Sequence, residues 1–532
     1  MAIFLEPTYY SDSSTIWLLT STLVIATIIF YTAAVAIYRI YLHPLSHIPG
    51  PRLAAATHLY IFYHNWYRSG KLYLQTEKLH AKYGPVVRIS PTELHLSDPT
   101  NYDKIFHIGT RYTKPAAFYA AFSSGPNTLF GTPSNEIHRT KRAAIAPFLA
   151  RKSVLESESL IQSKVKWLEN RIRYRLRSSG KINLHYAFRA LSVDVATEYV
   201  FGGDGEGCWD LLKREDFGKS LFLLERRMMP IGWVFQQFPV VRAVVMGVPG
   251  WVLGWVSGPL EGLMMFREVA SEEVAMQDGD NDGGKQQLKT RQTMFHQLLR
   301  PGGAIKGYDV PTVENLENEA YDLVGAASGT TGNALTITAY HVVANPEIYR
   351  TLKAELESAF PNPNSEMIYT KLEKLPYLTA VIKEGLRLSY GVIGRLPRVV
   401  PESGAEFNDY KVPAGALVGM SSWMMHRNEE LFPEPDKFDP SRWLDGTTSN
   451  KSLDRYFVPF SKGPRQCLGM SLAYCELYIM LGRLFLHFDD LTIEKKSLED
   501  LAYDDFFNIY HRPGKDMFCF QSRGMELVTS DG

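Results

Sequence analysis

A long apolar run lies near the start of the chain. Residues 15–38 carry no charged side chain and are mainly Leu, Ile, Val, Ala and Thr. A run of about 20 such residues is long enough to span a bilayer as a helix. Acidic Glu6 and Asp12 precede the run and Arg39 follows it, so the positive-inside rule places the following domain on the cytosolic side. We predict a lumenal segment over residues 1–14 and a transmembrane anchor over residues 15–38. A cleaved signal peptide would need a basic leading region and a shorter apolar core.

Prolines separate this run from the rest of the chain. Residues 39–52 include the sequence HPLSHIPGP, whose three prolines fix φ and resist helix formation, which predicts a stiff hinge. Between residues 71 and 96, a helix-like segment runs into residues 84–91, which alternate in polarity and break at prolines. That pattern predicts the first strands of a small sheet. Residues 111–130 are rich in Gly, Pro, Ser and aromatic side chains with weak periodicity, which predicts a loop.

Two stretches of opposite character occupy the middle of the chain. Residues 228–266 are unusually apolar, but prolines at positions 230, 239, 249 and 259 divide them into pieces too short for a second membrane span. These pieces are either buried core or segments that dip into the bilayer surface beside the anchor. Residues 277–290 are polar, contain glycine and lack periodicity, which predicts an exposed connecting loop.

Three helices are predicted in the second half of the chain. Residues 313–344 form the longest of them, about 45 Å at 1.5 Å per residue, and Asn345-Pro346 closes it. A second helix begins at Pro376, and a third follows the apolar run that starts at Ser471. Residues 506–520 are strand-like and aromatic, and we expect them to return a loop towards a pocket.

The composition is that of an ordinary globular protein. Of the 532 residues, 45% are hydrophobic and 21% are charged, and the formal net charge is zero. A nucleic-acid partner is not expected, because proteins that bind nucleic acid present a strongly basic face. Four cysteines in so long a chain do not make a disulfide framework, which indicates a reducing compartment. The cysteines are Cys208, Cys467, Cys475 and Cys519.

Residues 460–469, with the sequence FSKGPRQCLG, have the pattern of a loop that holds one sulfur in place. Gly463 and Gly469 are expected to adopt backbone angles that a Cβ would forbid, so that the chain wraps tightly around Cys467. Backbone N–H groups after the cysteine and the positive charge of Arg465 favour the thiolate, which is the form that binds metals. A single cysteine without a partner at zinc-site spacing argues against a Cys-rich zinc site. It suits the single axial thiolate of a haem iron.

The decapeptide matches, position by position, the haem-binding signature F-x-x-G-x-R-x-C-x-G of the cytochrome P-450 family. The chain therefore resembles that family over nearly its whole length. The resemblance implies one large domain over residues 53–532, mostly α-helical with a small β region (α+β), behind the anchor. It also implies haem b as the cofactor, with Cys467 as the axial ligand of the iron and Phe460, Arg465 and Gly469 as further haem-binding residues. The alternative is a buried, inert cysteine in a glycine-rich turn.

Basic residues elsewhere match further positions of the family. His138 and Arg142 are four residues apart and share one helix face. In many members such a pair binds the haem propionates, and the fork of an arginine suits a carboxylate. The resemblance gives Arg398 and Arg465 the same role, whereas the alternative is a solvated basic face. Four neighbouring basic side chains are expected to stay exposed and to help dock an acidic electron-donor protein. They are Arg139, Lys141, Arg151 and Lys152.

The predicted long helix contains three glycines within residues 325–332, GAASGTTG. Glycine inside a helix costs about 1 kcal/mol against alanine, so either a flat cofactor and O2 approach here or another helix crosses closely. The family motif at this point is small-Gly-x-acid-Thr-Thr/Ser. Thr330 and Thr331 match its threonines and are the candidate catalytic residues, with Thr330 positioning O2. Ala327 stands at the usual glycine and Gly329 at the usual acid, so water or another side chain must carry protons.

Glu384 and Arg387 are three residues apart in the helix that begins at Pro376, and they face the same way. They match the family pattern E-x-x-R, and Arg442 stands where a third member is expected. The resemblance makes these three residues a buried triad that locks the scaffold of the haem loop, with a structural role. The alternative is an ordinary surface ion pair, which contributes little stability.

The anchor, the hinge and residues 82–95 look most like fungal microsomal members, and loosely like the trichodiene-oxygenase-like group of secondary metabolism. The resemblance implies a single-pass protein of the endoplasmic reticulum membrane whose catalytic domain faces the cytosol. It implies a monooxygenase that takes electrons from NADPH through NADPH–cytochrome P-450 reductase, with cytochrome b5 as a further donor. Its substrates would be O2 and an apolar terpenoid or polyketide intermediate. Phe118, Tyr119 and Phe122 lie where such proteins contact substrate, although packing against the body is an equal alternative.

Two other functions stay open. In the first alternative, the same fold catalyses isomerisation, dehydration or oxidative coupling. This alternative stays open because Gly329 replaces the usual acid. Consumption of NADPH and O2, with the product mass raised by one oxygen atom, separates these reactions from monooxygenation. A membrane-anchored haem carrier or gas sensor without turnover is the second alternative, and a sizeable closed pocket would argue against it.

Overall fold

A computed structural model describes residues 12–125, 127–202, 209–247, 294, 298, 305, 307–362, 365–444, 450–493, 501–511 and 518–522. Several sequence predictions lie wholly or partly outside these residues. They are the lumenal segment up to residue 11, the apolar stretch from residue 248 to 266, the loop over residues 277–290, the stretch 512–517 of the strand-like tail, and Cys208.

Helices make up most of the described chain, as the family resemblance predicts. The α-helices of six or more residues are Asp12–Ile37, Leu72–Tyr83, Asn135–Ile145, Arg151–Glu156, Glu158–Ser179, Leu184–Phe201, Lys219–Met228, Ile231–Gln237, Pro239–Gly247, Val313–Ala344, Pro346–Ala359, Pro376–Ser389, Asn450–Tyr456 and Met470–His487. Shorter helical turns lie at Tyr38–Leu42, Arg52–Ala56, Leu59–Phe62, Tyr63–Tyr67, Pro99–Asn101, Tyr102–Ile105, Ala116–Ala120, Tyr369–Leu372, Ser422–His426, Pro440–Trp443 and Gly463–Arg465.

The strands are short and form small sheets at the edges of the helical body. One sheet has the order Val86–Arg88, Glu93–Leu96, Leu417–Gly419, Arg398–Val399, and its two middle strands are parallel. A second has the order Lys181–Asn183, Cys519–Ser522, Leu491–Ile493. Two hairpins complete the described β structure, Ala405–Phe407 with Tyr410–Val412, and Tyr503–Phe506 with Asn508–His511. The α+β class with a small β region is confirmed.

Val313–Ala344, here called the central helix, runs through the middle of the core. The side chain of Thr312 accepts a hydrogen bond from the Asn315 N–H at its start, and Asn345-Pro346 ends it, as the sequence predicts. From Thr331 to Val343 every residue is buried. A helix that is apolar on all sides belongs inside a core. The central helix packs against the helices Leu184–Phe201 and Pro376–Ser389.

The glycines of the central helix have different neighbours. A Cβ at Gly332 would lie 2.8 Å from Cα of Arg189, so this glycine allows the helix Leu184–Phe201 to cross closely. A Cβ at Gly325 would meet nothing within 4 Å. Both sequence-based explanations are therefore needed, a tight helix crossing at Gly332 and open space at Gly325.

We expect Gly332→Ala to destabilise the fold by about 1–3 kcal/mol, because the added methyl group must push two packed backbones apart. Gly325→Ala is the matched control. It removes a glycine from the same helix without a clash and is expected to raise stability by up to about 1 kcal/mol. Chemical denaturation of the two variants checks this contrast, and equal effects would contradict it.

The N-terminal helix Asp12–Ile37 is exposed over residues 15–34, and the helical segment Thr15–Leu42 is strongly apolar. It is long and apolar enough to cross a membrane. It starts three residues before the predicted anchor, and the helical turn Tyr38–Leu42 continues it into the predicted hinge. Helix persists there because the first hinge proline is Pro44. The remaining hinge residues pack against the body, with Leu45 and Ile48 buried.

The predicted loop over residues 111–130 contains one short helix, Ala116–Ala120, which its alanines favour. The loop is fixed to the central helix through Asp322. The carboxylate accepts hydrogen bonds of 2.9 Å from the Ser124 N–H, the Ser124 hydroxyl and the Ser123 hydroxyl. An aromatic loop is thereby held above the middle of the molecule.

Candidate active site

An internal cavity of about 650 Å³ lies between the central helix and residues 460–469, here called the cysteine loop. The side chain of Cys467 is accessible to a water-sized probe although it lies deep in the protein, because it faces this cavity. On the central helix, Ala326 is likewise exposed inside the cavity, and Thr330 is partly exposed beside it. The cavity therefore has a free sulfur and a wall of small residues.

The cysteine loop is tightly wound. The Cys467 N–H donates to the Phe460 carbonyl at 2.9 Å. Gly463 has φ +73°, and a Cβ there would lie 2.6 Å from the carbonyl oxygen of Phe106, so glycine is required. The prediction for Gly469 is wrong, because its φ is −81° and a Cβ would meet nothing within 4 Å. This residue instead begins the helix Met470–His487 and borders the cavity.

The thiol of Cys467 has an unusual environment. Burial raises its pKa, whereas the N–H of Gly469 and the positive charge of Arg142 act to lower the pKa. The sequence predicts Arg465 as the neighbouring charge, but its guanidinium points elsewhere. It donates to the carbonyls of Thr132 and Pro133, both at 2.8 Å. Arg142 instead donates to the carbonyl of Gln466 at 2.7 Å, which places it beside the sulfur.

The cations that border the cavity include three predicted ones and one unpredicted one that lack counter-charges. They are Arg142, Arg398, Arg465 and Lys114. Their hydrogen bonds run to backbone carbonyls, to Asn135 and to the Tyr119 hydroxyl, and none forms an ion pair with a carboxylate of the described residues. A buried cation without a counter-anion destabilises the protein unless a ligand balances its charge. A bound dianion would balance these charges.

Lys114 was missed because a single lysine in a glycine- and proline-rich stretch has no sequence signal. The side chain is buried, its Nζ donates to the Phe130 carbonyl at 2.8 Å, and it lies over the rings of Tyr119 and Phe130. Burial lowers the pKa of Lys114 well below its usual value, and Arg398 and Arg465 lower it further. An anion bound at this end of the cavity would raise the pKa of Lys114 back towards its usual value.

His138 is buried and borders the cavity on the same helix face as Arg142, as predicted. Burial, together with the charges of Arg465, Lys114 and Arg142, lowers the pKa of His138 to about 2. The imidazole is therefore neutral at physiological pH. It would contact an anion as a hydrogen-bond donor and not as a cation.

The predicted triad is assembled and buried. Glu384 and Arg387 are fully buried and form two hydrogen bonds of 2.8 and 2.9 Å. Nε of Arg442 donates to Oε1 of Glu384 at 3.0 Å, and Nε1 of Trp443 donates to Oε2 at 2.9 Å. The surface ion-pair alternative is wrong for these residues, because one buried carboxylate accepts hydrogen bonds from Arg387 on its own helix and from residues 439–443.

His426 connects the triad to the cysteine loop. Its Nε2 accepts the Val458 N–H at 3.0 Å, so Nδ1 carries the proton and donates to the Arg387 carbonyl at 2.9 Å. Burial lowers the pKa of His426 to about 3, which keeps this tautomer neutral. Val458 lies two residues before Phe460, so the triad fixes the start of the loop.

The two threonines of the central helix, Thr330 and Thr331, differ in their exposure to the cavity. The Thr330 hydroxyl donates to the Ala326 carbonyl at 2.9 Å and borders the cavity, and the more buried Thr331 also contributes to its wall. Gly329 does not border the cavity. A Cβ at Gly329 would contact the side chain of Asn508 at 3.4 Å. The position that carries an acid in related proteins thus faces a residue of the C-terminal hairpin.

Aromatic side chains line the cavity away from the cysteine. Of the three predicted residues, Tyr119 and Phe122 border it, whereas Phe118 is buried outside it. Phe507 at the tip of the C-terminal hairpin stacks on Phe122 with a centroid distance of 5.3 Å. Phe507 and Asn508 border the cavity, so the tail returns to the pocket as predicted.

The four surface cations predicted near His138 have different environments. Arg139 and Lys152 are exposed. Lys141 is half-buried and donates to the Thr132 hydroxyl at 3.2 Å, so the prediction of an exposed side chain is wrong there. Arg151 is exposed but pairs with Glu373 at 2.5 Å. The basic surface is therefore smaller than the sequence indicates.

The chain is similar to known proteins over most of its length. The family model for cytochrome P-450 matches residues 51–520. Cytochrome P-450 monooxygenase MO6277 of Ascocoryne sarcoides is 32% identical over 516 residues, which cover 94% of this chain and 97% of that protein. Tryptophan 6-hydroxylase fscE of Fusarium equiseti is 34% identical over 89% of this chain and 91% of its own. Conidiogenone synthase of Penicillium rubens is 32% identical over 86% and 90%.

The observations agree on one kind of cofactor. Proteins of the matched family bind haem b through a cysteine thiolate. The cavity has the volume for a flat group, a thiol at its surface and cations that lack counter-charges. Haem b supplies two propionate carboxylates and an iron that accepts a thiolate. The chain is a member of the cytochrome P-450 family of haem-thiolate monooxygenases.

Proposed function

We propose that this monooxygenase inserts one oxygen atom of O2 into an apolar small molecule, a terpenoid or polyketide intermediate of fungal secondary metabolism. The observation that carries the proposal is the aromatic cavity above Cys467 and Thr330. An apolar wall with few polar groups selects an apolar skeleton. Among the relatives, one is named tryptophan 6-hydroxylase and another conidiogenone synthase. The first name supports hydroxylation of an organic small molecule.

The proposal assigns Cys467 as the axial ligand of the haem iron, with Phe460 and Gly469 beside the cofactor. Arg142, Arg398 and Arg465 hold the propionates, His138 donates a hydrogen bond, and Lys114 adds a fourth cation. When bound, haem supplies O2 activation with electrons from a redox partner. The buried site excludes bulk water, which strengthens every one of these electrostatic contacts.

Thr330 and Thr331 are the proposed catalytic residues of the central helix. The Thr330 hydroxyl is partly exposed in the cavity and bonded to a backbone carbonyl, so it stays oriented while its oxygen remains available as an acceptor. It would hold a proton at Oγ1 next to the site where O2 binds. Ala326, one turn earlier, leaves room for the substrate.

Electrons are proposed to come from NADPH through NADPH–cytochrome P-450 reductase, with cytochrome b5 as a further donor. The exposed side chains of Arg139 and Lys152 support an acidic partner, although Lys141, Arg151 and Lys152 already have partners within the chain. Cytosolic electron donors require a cytosolic active site. This agrees with the orientation that Arg39 predicts after the N-terminal helix.

We place the protein in the endoplasmic reticulum membrane, with the segments 1–14, 15–38, 39–52 and 53–532 as lumenal end, anchor, hinge and catalytic domain. The described part of the apolar stretch 228–266 supports a second contact with the bilayer. On the helix Pro239–Gly247, Val240 is 75% and Val244 is 61% exposed. Such a surface supports insertion of the helix Pro239–Gly247 at the membrane boundary, whereas Met228, Trp233 and Phe235 earlier in the stretch belong to the buried core.

The two alternative functions are less well supported. The cavity extends from the cysteine loop to an aromatic wall of Tyr119, Phe122 and Phe507, which supports a substrate site and argues against a non-catalytic haem carrier. Isomerisation, dehydration or oxidative coupling would need no oxygen transfer to the product. Labelling with ¹⁸O2 distinguishes these three reactions directly from monooxygenation.

Membranes that contain the protein and its reductase, fed with cellular extracts, NADPH and ¹⁸O2, are expected to yield a product with one ¹⁸O atom. The physical reason is that the cavity brings an apolar C–H bond next to the O2 site. Mass spectrometry measures the label. Membranes with Cys467→Ala are the control. An NADPH-dependent product without ¹⁸O would overturn the proposal in favour of the alternative reactions.

A further inference from the structure

Monooxygenation requires protons inside the cavity. Each cycle takes one O2, two electrons from the redox partner and two protons. One oxygen atom replaces a C–H bond of the substrate by C–O–H, and the other leaves as water. Within one turn of Thr330 the central helix offers hydroxyls but no acid, because Gly329 has no side chain. The two carboxylates of this helix that border the cavity, Glu319 and Asp322, lie more than two turns earlier and accept hydrogen bonds from residues 123–129. A titratable group from another part of the chain is therefore a candidate proton source.

Asn508 occupies the space that a side chain at position 329 would use. Its Cγ and Nδ2 lie 3.4 Å from the place of a Cβ on Gly329, and Nδ2 donates to the Gly325 carbonyl at 3.2 Å. Asn508 also borders the cavity. A polar amide from the C-terminal hairpin thus lies beside the turn of the central helix that carries Thr330.

A buried carboxylate connected to this arrangement is Glu225 of the helix Lys219–Met228. It borders the cavity and accepts a hydrogen bond from the Tyr510 hydroxyl at 2.8 Å. Arg189 donates to Glu225 at 2.7 Å and to the hydroxyl of Ser328 at 3.0 Å. Glu225 is thereby connected to the residue that directly precedes Gly329.

Tyr510 and Asn508 lie on the same face of one strand, since side chains two residues apart point the same way. Two buried ion pairs hold this hairpin in place, because Asp504 pairs with Lys71 at 2.7 Å and with Arg226. Nε of Arg226 also donates to the His511 carbonyl at 2.8 Å. The polar side chains therefore have a fixed position next to the central helix.

We propose that Glu225, Tyr510 and Asn508 form the route by which protons enter the cavity beside Thr330, in place of an acid at position 329. A proton taken up at Glu225 passes to the hydroxyl oxygen of Tyr510 as the tyrosine releases its own proton towards Asn508, which leaves Glu225 ionised and Tyr510 neutral again. The amide of Asn508 orients a water molecule that delivers the proton at Oγ1 of Thr330. This inference rests on the proposed monooxygenation.

Asn508→Ala and Glu225→Gln test the route through the fraction of consumed NADPH that appears as oxygenated product. We expect that fraction to fall by about tenfold, with hydrogen peroxide released instead, while NADPH consumption and substrate affinity change little. Asn508→Asp is expected to keep most of the product. Ile509→Val, on the same strand but the opposite face, is the control. Unchanged product yield in both Asn508→Ala and Glu225→Gln would overturn the proposal.

Thermal unfolding tests, independently of catalytic turnover, whether Asn508 fills the space that a side chain at position 329 would need. Gly329→Asp is expected to lower the melting temperature, because the carboxylate meets Asn508, whereas Gly329→Ala is tolerated at an ordinary contact of 3.4 Å. Asn508→Gly combined with Gly329→Asp should restore both the melting temperature and the product yield. A failure of monooxygenation itself would leave this melting pattern intact. Full tolerance of Gly329→Asp with Asn508 present would overturn the inference.

Discussion

Cys467→Ala is expected to abolish oxygenation and to weaken haem binding by more than about 100-fold, since even the outer partners of a metal ligand are worth about 10–100-fold. Among the described residues, no other cysteine borders the cavity. The cations would still attract the propionates, so we expect a small fraction of the haem to bind without the iron–sulfur bond. The measurements are the haem-to-protein ratio after gel filtration and the rate of product formation.

Cys475→Ala is the matched control for this prediction. Cys475 lies in the helix Met470–His487, is fully buried and does not border the cavity. Burial raises the pKa of its thiol far above the usual value, so it is an inert core residue. The control should retain haem and activity. Retention of both in Cys467→Ala would exclude that residue as the ligand.

Glu384→Gln is expected to destabilise the protein by about 3–5 kcal/mol, the usual cost of removing one partner from a buried ion pair. The amide keeps the shape of the side chain but leaves Arg387 and Arg442 without a counter-charge. Through His426 the change also reaches Val458 and the cysteine loop. We therefore expect haem to be lost at a denaturant concentration well below that for the wild type.

Glu434→Gln is the control for the triad. Glu434 pairs with Lys437 at the surface, where the two side chains are 74% and 57% exposed. Exposed pairs contribute between zero and about 1 kcal/mol, so the variant should unfold like the wild type. Denaturation followed by haem absorbance and by circular dichroism compares both variants. Equal stability of Glu384→Gln and Glu434→Gln would contradict the role given to the triad.

Local signals in the sequence predict the fold well. Thr312 and Asn345-Pro346 bound the central helix because a cap and a proline act within one turn. The spacing of Glu384 and Arg387 follows from one helix, whereas the roles of Cys467 and Arg442 come from the resemblance to the family. Lys114, Glu225, His426 and Asn508 were not predicted as site residues, because each reaches the site from a distant part of the chain. Only tertiary packing brings them there.

The predictions that were wrong also failed because tertiary packing determines the surroundings of each residue. Arg465 lies two residues from Cys467 in sequence, yet its guanidinium is used by the carbonyls of residues 132–135. Gly469 has an ordinary φ because it begins a helix. Lys141 folds back onto the loop below it and is not free at the surface. Spacing in the sequence predicts which residues are close along the chain. The direction in which a side chain points depends on the hydrogen-bond partners that the fold places near it.

The absorption spectrum of the purified, reduced wild-type protein under carbon monoxide tests the central claim most directly. A thiolate donor from Cys467 to the haem iron predicts a Soret band shifted far to the red of that of histidine-ligated haem. Folded protein that contains haem but lacks this shifted band would contradict the account.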